Sequence, residues 1–302
     1  MPHSPRPALS GLLLAAAGAI AFSGKAIIVK LSYQYGVDAV TVIMYRMLFA
    51  LPFFIAMGLW SERQAIAREN PLTRRDVMDI VGLGFVGYYL SSYLDFLGLQ
   101  YITASLERLI LYLNPTLVML LGWLLYKKTI HPIRLVAMGV SYSGVLLVFA
   151  HELTLSGSNV ALGSALILAS AISYAVYLLY SGQLVQRIGS LRLVGWATSV
   201  ACVCCIAQFL WLRPWSAAAV PVEVLWLAGL NAVACTVAPV LMVMMAIERI
   251  GAALTAQTGM IGPMSTITLG VWLLDEPLNV WIGAGTLLVV SGVFIVSKYG
   301  SK

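Results

Sequence analysis

An all-α integral membrane protein of ten transmembrane helices, arranged as two inverted five-helix repeats, follows from three features of this amino-acid sequence. The first is composition. Hydrophobic residues make up 61% of the 302 residues and charged residues only 10%, whereas soluble domains carry about 25% charged residues. The chain lacks the charge to cover a water-facing surface. The second is the even spacing of apolar stretches long enough to cross a bilayer, and the third is an internal repeat at a shift of 148 residues.

Stretches of about 20 apolar residues match a hydrocarbon core roughly 30 Å thick. In order they run over 9–31, 40–60, 77–99, 105–126, 133–150, 161–185, 193–212, 222–247, 252–274 and 280–297. The first mimics a secretory signal, with Arg6, an apolar run and small residues at Ala19 to Ala21. The run continues through Ile27, Ile28 and Val29, however, and it has a counterpart in the second half, so it counts as a span. Nearly the whole chain is consumed. Ser61 to Asp76 is the one sizeable polar loop, with shorter connectors at Glu152 to Asn159 and Arg213 to Pro221.

Lys and Arg in alternate loops set the orientation. Thirteen fall on the side holding both termini, among them Arg63, Arg68, Arg74, Arg75, Lys127, Lys128, Arg187, Arg192 and Lys302. The other side has at most three, Lys30, Arg213 and, at the edge of its span, Arg108. Both termini are therefore expected in the cytoplasm, which in a bacterium makes this an inner-membrane protein. The eight tryptophans, Trp60 to Trp281, all fall near span ends, where amphipathic rings favour the interface. The net charge of +6 thus reads as membrane topology, with the lipid bilayer as partner and no nucleic acid.

The repeat lays Thr103 to Phe149 over Gly251 to Ser297, pairing Ala104 with Ala252, Pro115 with Pro263, Gly122 with Gly270, and Ser143-Gly144-Val145 with Ser291-Gly292-Val293. A shift of 152 pairs Gly11, Leu14, Ala17, Ala19 and Ile20 with Gly163, Leu166, Ala169, Ala171 and Ile172. Five spans per half is an odd number, so the second half must enter from the opposite face. Such inverted halves place a binding site near the bilayer midplane and rock between two access states. The halves are bounded at 9–150 and 161–298.

Ala-x-Leu followed by Pro, then Gly-Val-Trp-Leu-Leu-Asp-Glu-Pro at Gly270 to Pro277, then Ser-Gly-Val at Ser291 to Val293, with a degenerate copy ending each half, resemble the drug/metabolite transporter superfamily, in particular its EamA-type members with two tandem five-helix repeats. The resemblance covers about the whole chain. It implies an exporter or exchanger of amino acids, metabolites or sugar nucleotides, with a cavity between the repeats. The chain departs from the pattern at Lys128, where the position matching Glu276 would be acidic. Arg46 corresponds to an arginine common in the second span of that family, which implies a structural role.

Other motifs carry little. Gly82-Leu-Gly84-Phe-Val-Gly87 has the spacing of a dinucleotide fingerprint but lacks the strand and βαβ unit that fingerprint needs. Glycines in a membrane helix serve close helix approach. Cys202 and Cys205 form C-x-x-C inside an apolar span without a second ligand pair, so packing is the expectation there. No cofactor and no metal are called for.

The charges within spans carry more weight. Each costs about 2.5 to 3.5 kcal/mol at the bilayer centre on insertion scales and needs a partner or water. Lys25, Arg46, Asp95, Glu107 and Arg108 all belong to the first repeat. Glu107 and Arg108 are successive and point about 100° apart on a helix, so they cannot face each other; Lys25 or Arg46 is the expected partner of the carboxylates. Glu107, Leu111 and Asn114 share one face by helical spacing. Pro115 and Pro263 each remove an N–H and free the carbonyl four residues back, at Leu111 and Gly259, and exposed backbone at this depth is tolerated where it lines a cavity. Tyr89, Tyr93, Tyr112, Tyr174, Tyr177, Gln257 and Thr258 are the other candidate lining residues, with helix packing as the competing role of each tyrosine. The charge cluster reads either as a salt-bridge network closing the outer side or as a gate and substrate-charge site.

A secondary transporter of a small molecule is the expectation. A membrane enzyme is the alternative, but H-E-x-x-H and G-x-S-x-G are missing from the sequence, as is any close acidic–His constellation, and His3, His131 and His151 lie outside spans or at their ends. A structural or sensing subunit is the third reading. There is no Walker-type loop for direct ATP hydrolysis. Asp95 and Glu107 are the carboxylates placed to carry a coupling proton, and uniport and exchange are equally open. Three cations against two carboxylates favour an anionic or zwitterionic metabolite over a lipophilic cation.

Overall fold

The computed structural model describes residues 6–63, 70–127, 132–156, 158–259 and 261–299. They form helices and connecting turns. Helix α1 is Arg6–Gln34, α2 Ala39–Glu62, and α3 runs Arg74–Gly84, through a π-helical turn Phe85–Leu90, into Ser91–Gly98. Helix α4 is in two pieces, Ala104–Leu111 and Asn114–Tyr126. Then come α5 (Pro132–Ser156), α6 (Ser158–Ile188) and α7 (Ser190–Leu212). Helix α8 runs Val222–Ala232, a π-helical turn Val233–Val237, and Ala238–Thr258; α9 is Ile261–Leu274 and α10 Val280–Tyr299. Among the described residues eight helices are long and apolar enough to cross a membrane, and Ile261–Leu274 and Val280–Ile295 are shorter apolar helices. The chain is an all-α membrane protein of about ten helices.

In lipid every backbone polar group must be satisfied within the protein, and the helix starts show how. Asp38 accepts from Val40 N at 2.9 Å at the head of α2, Thr73 and Asp76 form a reciprocal capping box on α3, Thr103 accepts from Leu106 N at 3.1 Å on α4, and Asn279 accepts from Ile282 N at 2.9 Å on α10.

Two departures from the expected spans matter for the site. The fourth span is not one helix. Pro115 has no N–H to offer Leu111, so the helix stops at Leu111 and restarts at Asn114 with Pro115 in its first turn, where proline is tolerated. The ninth span is likewise short, because residues 252–258 belong to the tail of α8. Ile250 packs beside Gly11, whereas the Gly262 carbonyl accepts from Ser23 at 2.9 Å, so the chain has turned back toward the membrane centre by the start of α9.

The 148-residue relation recurs in the backbone. The π-helical turns begin at Phe85 and at Val233. Lys127 (φ 51°) and Asp275 (φ 53°), also 148 apart, are the two non-glycine residues with left-handed backbone among the described residues. Side-chain packing repeats too. A Cβ on Gly163 would meet Tyr101 and Ile102, and a Cβ on Gly11 would meet Arg249 and Ile250. At the crossing of α5 and α10, a Cβ on Gly144 would lie 2.6 Å from the Gly285 carbonyl, and one on Gly292 would lie 2.5 Å from the Ala137 carbonyl. The pairs 144:285 and 292:137 interchange when the halves are exchanged, and they run antiparallel. Ser141 Oγ, 3.5 Å from the Val289 carbonyl, belongs to a pair that the exchange maps onto itself.

Two sets of loops gather at opposite faces. At one, Glu62 pairs with Arg192, Asp76 with Arg187, and Arg249 donates to Ser10 at 3.1 Å; this face holds the start of α1 and is the basic face. At the other, Asp38 pairs with Arg213 at 3.1 Å, Tyr45 donates to the Ala218 carbonyl at 2.6 Å, and Glu276 meets the start of α4. Burial alone would raise the Asp38 pKa, but hydrogen bonds from Arg213 and Thr41 outweigh it and hold the carboxyl below its usual range. Of the residues counted for orientation, Arg68, Lys128 and Lys302 lie outside the described residues.

Candidate functional site

A cavity of about 270 Å³ lies between the halves, walled by α1–α4 on one side and α6–α8 on the other. Four of the five intramembrane charges, Lys25, Arg46, Asp95 and Arg108, line it, together with Tyr112, Asn114 and Tyr174. The fifth, Glu107, is 0% exposed and stands behind the wall.

The carboxylates share one cation. Lys25 Nζ is 2.5 Å from Asp95 Oδ2 and 3.5 Å from Glu107 Oε1, joining α1, α3 and α4. Neither Glu107 oxygen receives a hydrogen bond among the described residues, and Asp95 Oδ1 is also unpartnered. Arg46 takes no part in this cluster. Its guanidinium lies 5.1 Å from the Phe96 ring centroid, its Nε donates to Thr236 Oγ1 at 3.0 Å, and its Nη1 has no partner. Thr236 is presented by the π-helical turn of α8 and donates to the Asn231 carbonyl five residues back at 2.9 Å. Such turns interrupt a helix at functional positions.

Arg108 is held as a flat cation between rings. Its Cζ is 5.6 Å from the Phe22 centroid and 5.7 Å from that of Tyr112, distances at which ring quadrupoles attract a guanidinium. Nη2 donates to Ser23 Oγ at 3.4 Å and Nε is unpartnered. A Cβ on Gly262 would stand 2.8 Å from Nη2, so a side chain there would displace the guanidinium from this position; the residue 148 positions earlier is Asn114. Tyr112 donates its hydroxyl to the Gly259 carbonyl, which Pro263 leaves without its usual helical donor. No carboxylate oxygen lies within 4.0 Å of either the Arg46 or the Arg108 guanidinium among the described residues.

The remaining sequence candidates separate. Tyr174 stacks at 5.6 Å on Tyr177, and Tyr177 is buried behind it, 3.2 Å from the hydroxyl of Tyr88. Tyr89 packs on Phe85 at 4.9 Å, and Tyr93 packs on the cluster of Val40, Met44 and Phe209; neither lines the cavity. Thr258 ends α8 and does not line the cavity, and the Gln257 side chain lies outside the described residues. The face expected to carry Glu107, Leu111 and Asn114 is split by the break in α4, so Leu111 and Asn114 reach the cavity and Glu107 does not.

Sequence reasoning missed Phe22, Tyr88, Ser91, Ser92, Ser170, Thr198 and Thr236, all of which line the cavity. Small hydroxyl residues are ordinary in membrane helices, and the available signal was their alignment one turn from charged positions, as in Ser91 with Asp95. Gly84 and Gly87 serve helix approach, to the Ala197 carbonyl and the Tyr177 ring, while Gly82 has nothing within 4 Å. Cys202 is buried in α7 with Sγ 3.6 Å from Met47 Sδ.

Residues of the wall therefore carry two buried cationic nitrogens, Arg46 Nη1 and Arg108 Nε, and three buried oxygens, Asp95 Oδ1, Asn114 Oδ1 and Thr198 Oγ1, without a hydrogen-bond partner among the described residues. Buried polar groups are normally satisfied, so these five mark the chemistry a guest would complement.

Residues 9–150 and 161–298 each match the model of the EamA-like transporter family. The chain is 31% identical over 306 residues to the uncharacterized transporter YcbK of Bacillus subtilis (strain 168), covering 96% of this chain and 92% of that protein. It is 24% identical to the uncharacterized transporter YyaM of the same organism, covering 76% and 78% of the two chains. One solved crystal structure superposes with a TM-score of 0.62 at 16% identity, covering 95% of this chain and 96% of the other, which establishes a common fold.

Proposed function

Because this chain belongs to the EamA-like transporter family, we propose that residues 9–150 and 161–298 act as two inverted repeats that carry a small zwitterionic or anionic metabolite through the central cavity by alternating access. The observation that carries this reading is the pair of guanidiniums, Arg46 and Arg108, on residues that line the cavity, each with a buried unpartnered nitrogen and no carboxylate oxygen within 4.0 Å among the described residues. In a low-dielectric site such donors attract a carboxylate strongly. The unpartnered oxygens of Asp95 and Asn114 favour a guest that also carries an ammonium, so an amino-acid-like zwitterion fits better than a simple anion. The protein works as a carrier, exporting or exchanging its substrate, with the basic face in the cytoplasm of a bacterial inner membrane.

The test is flux and binding on the purified protein. In proteoliposomes with a panel of L-amino acids, dicarboxylates and a lipophilic cation, the expected result is flux of at least one zwitterion or anion and none of the cation. Arg108→Gln should weaken binding of that compound by about tenfold, as expected for a lost charge-assisted hydrogen bond. Transport of the lipophilic cation alone would reject the charge reading, and no flux of any compound together with no binding would reject the carrier.

A further inference from the structure

At the face opposite the basic one, a second buried carboxylate makes contacts that the cavity does not account for. Glu276, two residues beyond α9, is 7% exposed and directs both oxygens at the start of α4. Oε1 accepts from Ala104 N at 2.7 Å, and Oε2 accepts from Ser105 Oγ at 2.7 Å and Ser105 N at 3.3 Å. The first N–H groups of a helix have no partner within the helix and form its positive end. Glu276 thus supplies, from the second half, a carboxylate that accepts from the free N–H groups at the start of α4 in the first half. Gly270 leaves room for it, since a Cβ there would stand 2.8 Å from Oε2. The same turn is held from the first half. Thr103 donates to Glu152 on α5, and Lys30 on α1 donates to the Ile102 carbonyl at 2.5 Å.

This contact is coupled to the cavity by position. Arg108 and Glu107 sit on the short first piece of α4, within about one helical turn, or 5.4 Å, of the residues Glu276 holds, and that piece ends at the break before Asn114. Displacing its start displaces both side chains.

The halves differ at this point. The 148-residue relation assigns Lys128 to the position of Glu276, and Ala252-Ala253 to that of Ala104-Ser105. Residues 252 and 253 lie within α8, so no helix start stands at that position, and Lys128 lies outside the described residues. At the basic face the halves are tied instead by Asp76–Arg187 and Glu62–Arg192, in which the Arg187 and Glu62 side chains are 45% and 32% exposed. Exposed ion pairs hold less strongly than buried, hydrogen-bonded ones.

We infer that the buried Glu276 latches the face opposite the basic one in its closed arrangement more firmly than the exposed pairs tie the basic face, so the substrate-free protein rests open to the basic face. This rests on the alternating-access reading above.

The test needs no substrate. Ser92→Cys places a reporter on the cavity wall, and a membrane-impermeant maleimide is applied from each face in right-side-out and inside-out vesicles. The chain without Ser92→Cys gives the background from the four native cysteines. The reporter should label several-fold faster from the basic face. Adding Glu276→Gln should speed labelling from the opposite face by on the order of tenfold, the scale of lost charge-assisted hydrogen bonds. Ser105→Ala, which removes one bond and leaves the carboxylate in place, should speed it by about two- to threefold. If Glu276→Gln and Ser105→Ala leave opposite-face labelling unchanged in folded protein, the latch is overturned while the carrier reading stands. Equal labelling from both faces before any latch substitution overturns alternating access and the latch with it.

Discussion

Lys25 is the cation on which the first-half charges depend, because it answers two carboxylates on two other helices. Removing it leaves Asp95 and Glu107 side by side in the bilayer without a counter-ion. Loss of one partner from a buried ion pair costs about 3–5 kcal/mol, so Lys25→Met should lower the melting temperature of the detergent-solubilised protein sharply. Arg108→Gln leaves no carboxylate stranded and should change melting little while weakening substrate binding. A large fall in melting for Arg108→Gln with unchanged affinity would make Arg108 a strut and not a binding group. At the surface, Asp38 offers a smaller, pH-dependent effect. Its pKa is held below the usual carboxylate range, so its contribution is present above that range and lost as pH falls through it. Melting of Asp38→Asn should therefore be less acid-sensitive between about pH 5 and pH 3, bracketing the ordinary carboxylate pKa of about 3.9. The charged residues were legible in the sequence because charge in lipid is rare and costly. Their pairing was not, because nothing along the chain shows that Lys25 answers both carboxylates while Arg46 turns to Thr236.

Between elements, glycine marks where backbones meet. A Cβ on Gly144 would stand 2.6 Å from the Gly285 carbonyl, and one on Gly292 would stand 2.2 Å from Ser141 Oγ, whereas Gly139 on the same α5 has nothing within 4 Å. Gly144→Val and Gly292→Val should each destabilise the protein by about 1–3 kcal/mol through overpacking. Gly139→Ala should be neutral or stabilise by up to about 1 kcal/mol, since alanine orders a helix more cheaply than glycine. Equal melting of all three variants would remove the α5–α10 crossing from the account of stability. The paired Ser-Gly-Val segments announced this crossing in the sequence. The π-helical turns at Phe85–Leu90 and Val233–Val237 left no such trace. An extra residue in a helical turn is set by tertiary contacts, here Gly87 on Tyr177 and Thr236 under Arg46, and weak helix formers such as Val, Gly and Thr within the turns do not by themselves mark one.

For the whole molecule, orientation is the first measurable claim. Cysteine labelling should place Arg68 and Lys302 on the cytoplasmic side and Glu152 and Pro221 on the other, as the thirteen-to-three bias in Lys and Arg requires; Arg68 and Glu152 reacting from one side would undo it. Span number and order were legible because bilayer thickness imposes a length on every apolar segment. The breaks in α4 and before α9 were legible only as prolines, since how far a helix yields at Pro115 or Pro263 is decided by what receives the freed carbonyl, as Tyr112 does for Gly259. The self-paired contact of Ser141 with Val289 has a mechanical meaning. A contact that maps onto itself when two halves are exchanged lies on their rotation axis, and points on an axis stay put while everything else trades places. On the proposed alternating-access reading, that contact would serve as the fulcrum. A disulfide joining Ser141→Cys to Val289→Cys should leave the cavity free to switch faces, whereas a covalent tie between Ser105 and Glu276 positions should freeze it; a fulcrum tie that arrests switching would move the pivot elsewhere.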